Sequence, residues 1–120
     1  APALVFGALH FDPGTYGLVN ASAYVVNAAT MGALAAFVTV RTGNLGAAIG
    51  LHFGNNASLT LFGLEGDLSG FSLFGVAMDP ASGYATYSIL SQTLAALVLF
   101  ALWRRWMNRH RPIANPPDAA

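Results

Sequence analysis

The chain has 120 residues, five basic and five acidic, with no cysteine, 55% hydrophobic residues and only 8% charged. A water-soluble domain carries about a quarter of its residues as charges, so that class is excluded and the solvent is read as lipid. Zero net charge excludes nucleic acid as a partner, and the lack of cysteine excludes both a disulfide framework and a thiolate nucleophile.

In chain order, residues 1–11 are apolar but amount to half of the roughly 20 residues that a membrane crossing takes. They lack the basic n-region and cleavage site of a signal peptide. We therefore expect a truncated N-terminal helix, the chain being either a fragment of a longer protein or a short gene product without its initiator methionine. In both cases an upstream catalytic segment or other membrane subunits are expected as partners, besides membrane lipid. Asp12-Pro13-Gly14 should stop this first helix, because proline disfavours helix in its predecessor and glycine tolerates positive φ.

A full span is expected over about residues 19–40, ending at the polar turn Arg41-Thr42-Gly43 with the glycine as C-cap. A second follows over about 44–64, making a tight antiparallel hairpin. Residues 65–85 hold Glu65, Asp67 and Asp79 among glycines, and are expected to form a non-cytoplasmic loop. The apolar patch 71–76 inside it is too short to cross and should lie in the interface or re-enter the membrane. A third full span, about 86–107, ends in Trp103-Arg104-Arg105-Trp106, where indoles suit headgroup depth. Residues 108–120 read as a polar cytoplasmic tail. The expected fold is thus all-α: a polytopic transmembrane helical bundle with three full spans and a partial first helix.

Threading these spans places every arginine (Arg41, Arg104, Arg105, Arg109, Arg111) on one side and Asp12, Glu65, Asp67 and Asp79 on the other. The positive-inside rule makes the arginine side cytoplasmic, with the chain in a cell membrane of the bacterial inner-membrane kind.

Polar groups inside lipid need a reason. His52 lies about 12 Å along its span, and Asn56 follows on the same face one turn deeper, with Asn55 nearby in angle. Bonding to neighbouring helices, at about 0.6–2 kcal/mol each, is one reading of these residues; acid–base chemistry is the other. Gly46, Gly50 and Gly54 repeat every fourth residue on the opposite face, about 160° away, which is a helix-packing ridge. With both faces engaged, this would be the central helix of the bundle. On the preceding span Asn20, Tyr24, Asn27 and Met31 form one stripe, and Ala21, Ala28, Gly32 and Ala35 form a small-residue packing stripe. Asn27 is expected to make an interhelical hydrogen bond. Ser88, Ser91 and Gln92 need no site to explain them.

His10 shares a face with Phe6, and a second intramembrane histidine strengthens the acid–base reading. A metal is the alternative, but a catalytic zinc takes three protein ligands, no HExxH helix is present, and His110 lies in the tail. No metal or other cofactor is expected.

These residues resemble the CPBP intramembrane proteases, which include CAAX prenyl endopeptidases and bacteriocin-processing proteins. Their Phe-x-x-x-His motif matches Phe6-Gly7-Ala8-Leu9-His10, and their His-x-x-x-Asn motif matches His52-Phe53-Gly54-Asn55-Asn56, with a similar Arg41-Thr42-Gly43 turn between. The resemblance covers residues 1 to about 63 and makes the chain the C-terminal portion of such a protein. The family's Glu-Glu-x-x-x-Arg motif has no counterpart, since Glu65 is the only glutamate and follows the histidines.

The resemblance implies an endopeptidase in which a glutamate activates water for attack on a peptide carbonyl. His10 would orient or polarise that water, and His52 with Asn56 would stabilise the oxyanion. A peptide would be the substrate. The competing expectation is a non-catalytic relative acting as a structural or assembly subunit of a membrane complex, docked through the glycine ridge. A third, a transporter segment lined by His52 and Asn56, lacks a charged relay.

Overall fold

The computed structural model describes residues 2–64 and 73–109. Glu65, Asp67, the start of the 71–76 patch, His110 and nearly all of the expected tail lie outside them.

Helix α1, Pro2–Ala8, closes in a tightened turn in which the His10 N–H donates to Gly7 O at 2.9 Å and the Phe11 N–H to Ala8 O at 3.1 Å. Helix α2, Pro13–Thr42, starts where the sequence signals it. Proline sits in its first turn, and the Asp12 carboxylate caps the N–H groups of Gly14 and Thr15 at 3.1 and 3.2 Å. Thr15 and then Gly14 donating to this carboxylate hold Asp12 below the usual carboxylate range. The helix is broken once, at Gly17 (φ 68°, ψ 162°), a conformation reserved for glycine. It ends at Gly43 in the left-handed region (φ 71°), with the Gly43 N–H on Thr39 O at 2.9 Å.

The Asn44 carboxamide oxygen accepts from Gly46 N–H at 2.9 Å and leads into α3, Gly46–Leu61. The chain then leaves the helix for strand β1, Phe62–Leu64, which pairs in parallel with β2, Phe74–Val76, in the register Phe62 to Phe74. This two-stranded pair was not expected. Helix α4, Gly83–Arg109, completes the described chain.

Two helices, α2 with 30 residues and α4 with 27, are long and apolar enough to cross a membrane. The expectation of three full spans is therefore met by two. At 16 residues α3 is about 24 Å long, short of the roughly 30 Å hydrocarbon core, because it starts after the Asn44 turn and stops where β1 begins.

The helix order in space also differs from expectation. The hub is α2, against which α1, α3 and α4 all pack. Its small residues explain this: Ala21 and Ala28 are buried, and Gly32 lies against Ala3 and Phe6 of α1. Gly7 approaches from the other side so closely that an added Cβ would sit 2.7 Å from Val25 O and 2.8 Å from the Ala29 Cβ. Among the described residues, a Cβ at Gly50 or Gly54 of the α3 ridge would meet nothing within 4 Å, whereas one at Gly46 would meet Asn44 Oδ1 at 3.1 Å.

Helices α2 and α4 run parallel, since Asn20 meets Thr86, Asn27 meets Thr93 and Phe37 meets Phe100. Arg41 therefore lies at the same end as Arg104, Arg105 and Arg109, while Asp12 and Asp79 lie at the other. Large apolar side chains point outward along both, Val40 being 85% and Leu99 66% exposed, as lipid-facing positions should be.

Candidate active site

The Phe6–His10 spacing puts the imidazole over its own helix end. There Nδ1 donates to the Phe6 carbonyl at 2.7 Å, because a carbonyl can only accept. The proton thus fixed on Nδ1 leaves Nε2 with its lone pair. The ring is held between Phe6, at a centroid distance of 4.7 Å, and the edge of Tyr24 on α2, at 5.4 Å. Tyr24 in turn packs on Tyr16 at 5.5 Å. This aromatic cradle was missed in the sequence, where Tyr24 falls on a stripe with the asparagines; the antiparallel return of α1 along α2 is what brings it to His10.

On α3 the i, i+4 spacing does what helix geometry dictates. Asn56 Nδ2 donates to His52 Nε2 at 3.0 Å, and Asn55 Nδ2 reaches Asn56 Oδ1 at 3.4 Å. An Nε2 that accepts requires the ring proton of a neutral His52 on Nδ1. His52, Asn55 and Asn56 are all exposed.

The structure pairs His52 with Asn56 but does not bring His10 to them. His10 packs on Phe6 and Tyr24, level with the first half of α2, whereas His52 lies on the helix hairpinned to the second half. Among the described residues no group of three or more His, Cys, Asp or Glu is placed to hold a metal.

The other polar residues of the membrane helices are structural. Asn20, 1% exposed, donates to the carbonyls of Pro80 and Ser82 at 2.8 and 3.0 Å and accepts from the Thr86 hydroxyl. Asn27 makes the expected interhelical bond, donating to Thr93 Oγ1 at 2.7 Å. Ser91 and Gln92 bond within α4, to the carbonyl and hydroxyl of Ser88.

Residues 1–58 match the family described as Type II CAAX prenyl endopeptidase Rce1-like. The match lies at the N-terminal end of the chain and ends two residues after Asn56, taking in both histidine motifs and the turn between them. No curated protein and no solved structure matches. Nothing in the match favours the assembly-subunit alternative. With two long apolar helices beside it, the chain is an integral membrane protein, and its residues 1–58 are similar to the CAAX-type intramembrane proteases.

Proposed function

We propose that this chain carries the histidine–asparagine half of an intramembrane endopeptidase site. The observation that supports it most is the His52–Asn56 pair, 3.0 Å apart on an exposed helix face inside the family-matched stretch. A polar pair on an apolar helix is costly against lipid and gains its value where a reacting carbonyl develops charge. In this reading the oxyanion develops against the His52–Asn56 pair, and His10 turns its Nε2 toward the attacking water. The glutamate that deprotonates the water comes from a segment outside these residues.

That segment would meet α3 on the exposed His52–Asn56 face, opposite the glycine ridge. Its arrival is also what would close the distance between His10 and the α3 pair. In the membrane, α2 and α4 cross with their arginine end facing the cytoplasm. The substrate is a peptide, and whether a prenyl group is required is decided by offering the same peptide with and without one.

The test is His52→Ala in the full-length protein, assayed on such peptides in detergent or liposomes. The expected outcome is a fall in kcat/KM of about 10²–10³ with an unchanged unfolding midpoint. Cleavage at the native rate would sink the assignment.

A further inference from the structure

Helix α4 ends in a surface groove of about 490 Å³ lined by Phe100, Ala101, Arg104, Arg105, Asn108 and Arg109. Helix geometry explains its shape: Phe100–Arg104–Asn108 and Ala101–Arg105–Arg109 are adjacent i, i+4 ridges, and the groove is the channel between them. Its chemistry changes along its length. The end nearer the middle of α4 is apolar, and the end nearer the terminus carries three guanidinium groups within six residues.

Arg105 and Arg109 stand four residues apart on one face, a like-charge spacing that weakens a helix unless an anion lies between. Among the described residues no acidic group does so, because Asp12 and Asp79 are at the far end of the molecule. Relative to the α2-facing Phe100, Arg105 and Arg109 point about 140° and 180° away, and so away from α2. Trp103, tilted against Phe100 at a centroid distance of 5.8 Å, lies beside the groove and is a side chain suited to headgroup depth.

We propose that this groove is a binding site for an anionic glycerophospholipid. Its phosphate is held by Arg105 with Arg104 and Arg109, and its glycerol and first acyl carbons lie on Phe100 and Ala101. Guanidinium groups suit phosphate because they donate two parallel hydrogen bonds. A lipid fits better than a free anion, which leaves the apolar half of the groove unused. Lipid is also the amphiphile present at this depth around a membrane-spanning α4.

The experiment reconstitutes the full chain in phosphatidylcholine nanodiscs with added phosphatidylglycerol and reads bound lipid by native mass spectrometry. One phosphatidylglycerol per chain should be retained in preference to phosphatidylcholine. Arg105→Gln should weaken that retention about tenfold, and Arg105→Gln with Arg109→Gln about a hundredfold. Arg41→Gln removes the same charge at the same end from a helix outside the groove, and should cost no more than about fivefold. Equal losses in Arg41→Gln and Arg105→Gln would mean diffuse surface charge and overturn the site. Displacement of the lipid by millimolar inorganic phosphate would overturn the lipid as its occupant.

Discussion

The asparagines of α2 and those of α3 are the same residue type in equally apolar helices, yet they live differently. Asn20 and Asn27 reach across to α4 and the turn before it, where the Pro80 and Ser82 carbonyls and two threonine hydroxyls satisfy them. Asn55 and Asn56 turn to each other and to His52 on their own exposed face. A polar group that holds two helices together is finished when its partner is met. One that lies on an exposed helix face beside a histidine is placed where, in a membrane protein, chemistry is to be sought. The small residues make the same contrast: Ala29 and Gly32 of α2 lie against α1, whereas Gly50 and Gly54 of α3 have no neighbour within 4 Å among the described residues.

The contrast is broken most directly by removing one asparagine from each set. Asn20→Ala leaves the Pro80 and Ser82 carbonyls and the Thr86 hydroxyl without their partner in a buried site, and should lower stability by about 2–4 kcal/mol. Asn56→Ala should change stability by less than about 0.5 kcal/mol, its effect falling on cleavage instead. Denaturation of both variants in detergent checks the pair; comparable losses of stability would erase the distinction.

Gly7→Ala asks the same of the glycines. The added methyl meets the α2 backbone at Val25 O, so α1 must shift outward, at a cost of about 1–3 kcal/mol. Gly50→Ala meets nothing among the described residues and, with alanine the better helix former, should leave stability unchanged or slightly raised. If Gly50→Ala then abolishes activity in the full-length protein, the ridge is a docking face. Below these in size comes Asn27→Ala, where loss of the one bond to Thr93 should cost about 0.6–1.7 kcal/mol.

Much of this was legible in the sequence, because its signals are local. Asp12-Pro13 and Gly43 set the ends of α2 through capping and fixed dihedrals, and the i, i+4 spacing of His52 and Asn56 made their pairing a matter of helix geometry. The polar stripe of Asn20, Tyr24 and Asn27 was legible as a stripe but not as two jobs. Its residues divide between α4 and His10, and that division depends on where helices distant in sequence return. The pairing of Phe62–Leu64 with Phe74–Val76 was hidden for a like reason: three-residue strands carry no periodicity, and their partner is set by a long loop. The glycine ridge announced a packing face without saying whether the partner lay in the same chain, which is why α3 was expected to be the hub when α2 is.

The smallest effect tests the end of the molecule opposite the arginines. Asp12 caps α2 as a carboxylate, and its hydrogen bonds from Thr15 and Gly14 hold its pKa in the folded chain below the unfolded value of about 3.9. A depressed acid contributes stability that is fully present above the unfolded pKa and is lost as pH falls through the folded one. The unfolding midpoint should therefore be flat from neutral pH down to about 5 on this account and fall below about 4. Asp12→Asn keeps an oxygen to accept the same two N–H groups but has no proton to gain, so its midpoint should lose this part of the acid dependence while remaining near wild type at pH 7. An acid profile identical in the two proteins would show that the cap acts through geometry alone, with no contribution from the charge at the start of α2.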